Sequence, residues 1–542
     1  MVVSAEYDGI VIGAGHNGLI LQAYLAKAGL KTLVVERSAK VGGGLHTVSA
    51  GKRPDAPLAD GPRVAGFRHN VHAVFLRGIT GTPWFRDLDL ASYGARLIEP
   101  AVNLALHLED GRCFVVHREA EATARSLARF SQRDADTFLR LRDYYERVVD
   151  EVMVPELAAP PLAKEETQRL LARSESGRRY LEAAALSARE FVEQHFESDA
   201  VKCLLLAICV LREVDVHIRG MGYVPAQLIG ARGKAQLAVG GSGELARAME
   251  RCVRAHHGAV LVNEAPRRIV VEQGVAKGIE LSDGSFIGAR RFIASSLNPI
   301  QTLLDLVGPD HLPLGLDARV ERYRFSVVGP LFGVHLALQE APEYRGVNFD
   351  ADVARSFMNV VGLDRPEQIY ELHQRLSAGQ LPERIWMNGA TPTLHDPTQG
   401  SDGKQTAFVW QKVPYALGGD GDRWDAMKEG HMAAVLARWR EYAPNLTNET
   451  ILDRFAVTPR DTERRLPNMA RGDLNVGWLD EEQSGAGRPL PELSQYRTPI
   501  KGLYLCGACT YPGGNITGFP GYNAAGVIAK DLGLARWWAG KT

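Results

Sequence analysis

The chain has 542 residues, of which 45% are hydrophobic and 23% charged, and its formal net charge is -1. This balance is ordinary for a soluble protein and offers no surplus of positive charge to nucleic acid or an anionic membrane. The length requires more than one core, since single cores stop growing near ~250–300 residues, and six cysteines are too few for a disulfide framework, so a reducing, cytoplasmic compartment is expected.

Residues 7–12 read as a buried parallel strand that runs directly into Gly13-Ala14-Gly15-His16-Asn17-Gly18. The opening apolar run is too short for the hydrophobic part of a signal peptide. Residues 19–28 show helical spacing and stop at Gly29, a C-cap residue, and residues 31–35 form a second strand ending at Glu36. This complete strand–helix–strand unit gives the glycine pattern its meaning as a dinucleotide site. Gly13 permits the tight turn, Gly15 lets the backbone approach a pyrophosphate, and Gly18 allows close helix–strand packing. His16 and Asn17 of this loop join the candidate contacts, and the free N–H groups of the helix N-terminus favour phosphate. Glu36, 23 positions after Gly13, accepts ribose hydroxyls and disfavours the 2′-phosphate of NADP; Arg37 beside it joins the candidate contacts.

NAD and FAD share this fingerprint. Gly42-Gly43-Gly44 follows Glu36 within six residues, where a glycine run keeps side chains away from a passing pyrophosphate. The arrangement resembles the glycine-doublet extension of the FAD-dependent amine oxidases and carotenoid desaturases, with Gly43 and Gly44 as contacts. Leu45-His46-Thr47 stands where many members have an arginine. The position of Gly66-Phe67-Arg68-His69-Asn70-Val71-His72 resembles the segment that those proteins bring beside the isoalloxazine ring. His69 and His72, three apart, would share a helix face, but no further metal-ligand set accompanies them and no metal is expected. A structural role and a place at the flavin or substrate cavity both stay open for them.

From about residue 76 to 232 the pattern is mostly helical, with capping signals at Ser131-Gln132-Arg133-Asp134 and Ser187-Ala188-Arg189-Glu190. The longest uncharged apolar run, residues 203–211, falls short of the ~20 residues of a membrane helix. Gly240-Gly241-Ser242-Gly243-Glu244 precedes a helix over 245–256, a helix start that also stands as a candidate for cofactor proximity. Strand-like segments follow at 259–263, 267–272, 275–281 and 286–287, with a turn at Ser282-Asp283-Gly284, and residues 292–296 form an apolar strand. Residues 299–465 mix strands and helices, including strands over 332–338 and 406–411. Residues 503–506 form a strand entering Gly507, and a glycine-rich loop with Tyr511 and Gly514 leads to a helix over 522–535. That helix would offer its positive end, at Gly521, Tyr522 and Asn523, to the flavin edge where negative charge gathers on reduction.

Together with Asp396-Pro397, Arg488-Pro489 and Tyr496-Arg497-Thr498-Pro499, these pieces resemble the bacterial phytoene-dehydrogenase-like FAD oxidoreductases over nearly the whole chain. The resemblance implies an α/β fold: a Rossmann-like FAD-binding domain with a mixed, largely helical substrate lobe. The FAD-binding domain would comprise residues 1–75, 235–298 and 466–542. The helical lobe would span 76–234, and a second substrate excursion 299–465. One strand of such a domain holds the adenine through its backbone, with Ile269 and Val270 as candidates.

The resemblance implies noncovalent FAD and hydride transfer between flavin N5 and a carbon–carbon bond of a largely apolar small molecule, in either direction. His69, His72 and then Tyr511 are the candidates if a general base is needed. Oxygen, a quinone or another acceptor would take the electrons, since no second nucleotide fingerprint is present. Alternatives are a flavin amine oxidase, a redox-neutral cis–trans isomerase of a polyene, and a non-catalytic flavin-containing binding protein. Cys506-Gly507-Ala508-Cys509 has dithiol spacing but reads as a structural strand end. Trp537-Trp538 reads as packing of the last helix, with a peripheral membrane contact or a second copy of the chain as the other readings.

Overall fold

Ile10, Val11 and Ile12 are all buried, as a strand covered on both faces requires. Their strand, Glu6–Ile12, lies inside a seven-stranded sheet. The computed structural model describes residues 6–50 and 61–539; residues 1–5 and 51–60 of the expected first segment lie outside them. Thr32–Glu36 and Phe286–Ser295 flank Glu6–Ile12, both parallel to it. Ala259–Val262 extends the sheet beyond Thr32–Glu36, and Leu503–Leu505 extends it beyond Phe286–Ser295, again in parallel. One sheet therefore draws on the beginning, middle and end of the chain. Pro266–Glu272 and Val275–Leu281 complete it as an antiparallel meander leading into Phe286–Ser295.

His16–Lys27, Ser242–Ala255 and Phe519–Asp531 cover one face of this sheet, where Leu21, Ala246 and Ile528 share a core. On the other face Leu303, Val307, Leu316 and Val320 pack against Ile10, Ile12 and Leu33. Residues 300–320 thus lie against the nucleotide sheet, and the boundary expected at 298 falls too early. The apolar periodicity of this segment marks a buried face without saying which sheet it covers.

A second seven-stranded sheet runs Ile451–Val457, Leu331–Leu338, Gln405–Lys412, Met387–Ala390, Met358–Val361, Val102–His107 and Cys113–His117. Its last two strands come from the stretch read as helical. They are short, and Val102–His107 pairs with Met358–Val361, far along the chain. The helical lobe proper is built around Gln132–Val148, Asp199–Leu211 and Tyr223–Gly230, which share one core. Ser131 Oγ accepts from Asp134 N–H at 3.0 Å. The Asp134 carboxylate instead accepts from the N–H groups of Glu197 and Ser198 at 3.0 and 2.8 Å, so it ties two helices together and does not complete a capping box. Ser187 and Glu190 form the full reciprocal box.

The apolar run at 203–211 is the buried side of Asp199–Leu211. No helix among the described residues is long and apolar enough to cross a membrane. Trp537 stacks on Tyr24 at 5.2 Å between ring centroids, and Trp538 meets the same ring edge-on at 4.8 Å. The pair therefore packs on the opening helix.

Candidate dinucleotide and substrate site

Ile12, Ser295 and Leu505 lie side by side in register at the carboxyl ends of three parallel strands. Ligands of open α/β sheets bind at such an edge. Gly13 leaves the first strand with φ 88°, and a Cβ there would meet Ser296 Oγ at 2.4 Å. Ser296 Oγ donates to the carbonyls of Ile12 and Gly13 at 2.9 and 3.0 Å, which locks the turn. A Cβ on Gly18 would stand 2.2 Å from Gly13 O, so this glycine sets the close helix–strand approach. Gly15 differs: a Cβ there would meet nothing within 4 Å, and its backbone is extended, with φ -66°. The loop is open at the position where a ligand backbone must approach.

In the two residues that follow Gly15, His16 Nε2 and Asn17 Oδ1 are buried without a partner. Burial pushes the His16 imidazole down to about 4. Glu36 Oε2 accepts from Ala14 N–H and Oε1 from Ser38 N–H, both at 2.9 Å, leaving further lone pairs for hydroxyl donors. Arg37 is exposed. Gly43, with φ 57°, packs its Cα side against Gly15, where a Cβ would come within 3.2 Å of Gly15 Cα. Gly44 lies under Met469, 3.1 Å from its Cε by the same measure.

Ile269 and Val270 lie in the extended strand Pro266–Glu272. The Ile269 side chain is in the core beneath the sheet, and its strand pairs with Val275–Leu281. The segment lying against Glu36 is Asn263-Glu264, whose N–H groups donate to Ser38 O and Glu36 O, each at 3.0 Å. The extended-strand pattern holds, with Ile269 and Val271 facing the core and Val270 alternating to the other side. The helix start at 240–243 is taken by protein groups: Ser242 N–H donates to Asn70 Oδ1 at 2.9 Å and Gly243 N–H to Thr47 Oγ1 at 3.0 Å.

At the far end, Gly507 passes so close to the strand end that a Cβ would meet Ser296 O at 2.1 Å. Gly514 is pressed against Asn475 in the same way, at 2.8 Å from its Cα. The last helix starts at Phe519, one turn before the expected Tyr522, because Gly518 takes φ 72° and Pro520 sits in the first turn. A Cβ on Gly521 would stand 2.2 Å from Asn17 O. The first turns of two helices are therefore packed together, and their positive ends gather at one place.

Tyr522 packs edge-on against Tyr24 at 5.4 Å. Asn523 Nδ2 donates to Leu157 O, Ala159 O and Tyr496 Oη at 3.0, 3.2 and 3.0 Å. Both side chains are thus held within the protein. Tyr511 Oη donates to Glu156 O at 3.4 Å, and burial pushes its phenol up. Cys506 and Cys509 are free, buried thiols raised by burial, Cys509 to about 12.

His69 is in a two-residue strand with Asn70, paired to Thr47–Val48, so His69 and His72 do not share a helix face. The His69 ring lies 6.1 Å from His335 and 5.1 Å from Phe455, and Phe455 stacks on His335 at 4.9 Å. Phe408 stacks on the other side of His335 at 5.8 Å, and Trp410 and Phe75 continue the aromatic surface. Burial holds His69 at about 4 and His46 at about 3, and drives His72 and His335 well below the ordinary value. Nε2 of His46, His69 and His72 and both ring nitrogens of His335 are buried without partners. The arrangement is a neutral aromatic wall beside the glycine run, with unpartnered imidazole nitrogens in it. His46, His335 and Arg465 were not singled out as site residues in the sequence, because their convergence is tertiary; no contact joins Tyr511 to these histidines.

The profile of the NAD(P)-binding Rossmann-like domain family matches residues 11–86. The phytoene desaturase (lycopene-forming) of Paracoccus sp. is 27% identical, over 98% of this chain and 99% of that protein. One of the subunits of limonene dehydrogenase from Castellaniella defragrans is 31% identical over 548 residues, covering 98% of this chain and 96% of that protein. The chain belongs to the phytoene-dehydrogenase-like family of FAD-dependent oxidoreductases. Cyclohexylamine oxidase from Brevibacterium oxydans has a similar fold, with a TM-score of 0.58 at 16% identity over 97% of this chain and 99% of that one. In this phytoene-dehydrogenase-like chain the strand His69–Asn70 pairs with Thr47–Val48, directly downstream of the glycine run, and so brings His69 beside that run.

Proposed function

We propose that this protein binds FAD noncovalently along the Gly13–Gly18 edge and oxidises or saturates a carbon–carbon bond of a largely apolar small molecule. Bound there, FAD would exchange a hydride with the substrate through N5, with oxygen, a quinone or another acceptor closing the cycle. The observation that carries the reading is the open face of Gly15. It lies between two helix N-termini, with unpartnered polar atoms on the two residues that follow it, whereas Gly13 and Gly18 are closed by protein atoms. The Glu36 carboxylate, fixed by two backbone N–H groups, suits ribose hydroxyls. Phe408, Trp410 and Phe75 supply an apolar surface for the substrate, and neutral imidazoles beside it do not oppose hydride transfer with charge. An extended π system activates hydride removal without a strong base, so these residues orient the substrate and exclude water.

Reconstitution tests this reading. The protein is expected to retain equimolar FAD after desalting, and Glu36→Ala to weaken FAD affinity about tenfold or more, the loss of one charge-assisted hydrogen bond. Equal FAD retention by both proteins, or no retention by either, contradicts the proposal.

A further inference from the structure

Two buried cations show how this protein accommodates such groups. Arg488, with no exposed surface, donates to the carbonyls of Asn475, Trp478 and Ala508 at 3.0, 3.1 and 2.9 Å. Lys412 donates to Gly329 O at 3.1 Å and feels the carboxyl groups of Glu213 and Asp473. Arg465 is different: its Nη1 and Nη2 are both shielded from solvent, and neither has a hydrogen-bond partner. An unpaired guanidinium in a protein interior is costly, and buried charges are ordinarily paired.

Its position says what is missing. Arg465 ends the helix Pro459–Arg465, which follows directly on the strand Ile451–Val457 that carries Phe455. Four residues later Met469 covers Gly44. Arg465 therefore belongs to the segment that joins the Phe455 strand to the cover of the glycine run. Its charge reaches His46, His72 and His335, all kept neutral. The wall is aromatic and its imidazoles are neutral, each with one donor and one acceptor nitrogen, so the Arg465 guanidinium is a full charge there without an acceptor.

We infer that Arg465 is the counter-charge for a carboxylate on the small molecule that fills this space, so that the substrate is an apolar acid. Identifying that molecule as substrate rests on the oxidoreductase reading above. A guanidinium fork takes two adjacent acceptors. The N1–C2=O edge of a reduced flavin offers a comparable pair, so the source of the anion must be distinguished by experiment.

FAD-loaded wild type, R465Q and R465K are titrated with decanoate and with 1-decanol, following the flavin absorption band, and separately with sulfite, whose adduct reports positive charge at the flavin. Decanoate is expected to bind wild type at least tenfold more tightly than R465Q, with partial recovery in R465K. The affinities for decanol and sulfite should be unchanged. A tenfold loss of sulfite affinity with unchanged decanoate binding assigns the anion to the flavin and overturns the substrate carboxylate. No change with any probe overturns both. Melting temperatures without ligand should be equal or higher in R465Q, since an unpaired cation is removed; a fall would mark a structural role and contradict the inference. If the protein takes no FAD the oxidoreductase reading fails, and the rise in melting temperature on adding decanoate, compared between wild type and R465Q, still decides the role of Arg465.

Discussion

Gly15 and Gly18 stand three residues apart and answer to different constraints. Gly15 has extended backbone and open space, so valine fits the fold there and intrudes only on a ligand. Gly18 has Gly13 O at 2.2 Å from a would-be Cβ, so valine there overpacks the loop at a cost of ~1–3 kcal/mol. Gly15→Val should melt like wild type and bind no FAD, while Gly18→Val should melt lower; absorption spectra and thermal melts read both. The buried imidazoles make a second prediction. Because burial holds His69 at about 4 and His72 and His335 well below their usual value, none changes charge near neutrality. The rate of anaerobic flavin reduction should show no step between about pH 5.5 and 8; a step near pH 6.5 would mean that one of them acts as a base. The loop glycines were legible because each sits at a fixed offset from a strand end. Arg465 was not, since nothing local distinguishes a guanidinium that ends without a partner from the arginines beside it.

At the level of elements, the last helix is tied to the helical lobe through Asn523. Its amide donates to Leu157 O, Ala159 O and Tyr496 Oη, and Asn523→Ala should lower stability by ~1–3 kcal/mol while leaving FAD stoichiometry intact. Loss of flavin with an unchanged urea midpoint would instead give the side chain a cofactor role. Three of the parallel strands were readable from apolar runs that end at Gly13, Glu36 and Gly507. The last helix starts a turn earlier than its apolar spacing suggests, although Gly518 and Pro520 carry the signal for it. Val102–His107 and Cys113–His117 were hidden because short strands among helices depend on partners that only the folded chain supplies.

For the whole molecule, one sheet is assembled from both ends and the middle of the chain, and buried neutral histidines sit in several cores. His16, His69 and His107 are each held at about 4 by burial, below the ordinary ~6.5. Between those values the unfolded chain takes up protons that the folded chain does not, so stability is full above the ordinary value and falls as the pH drops. Each imidazole contributes up to ~1.4 kcal/mol per pH unit across that window. Urea midpoints should accordingly be lower at about pH 5 than at pH 7, and equal midpoints would show these histidines to be solvated. The central claim concerns redox chemistry at a bound flavin. Its most direct test is an anaerobic titration of the FAD-loaded protein with an apolar fraction of cell extract, followed at the flavin's visible band. The band should bleach in proportion to added material and recover with oxygen or a quinone. A loaded flavin that no fraction reduces, and that no reduced flavin–substrate mixture reoxidises, would contradict the account.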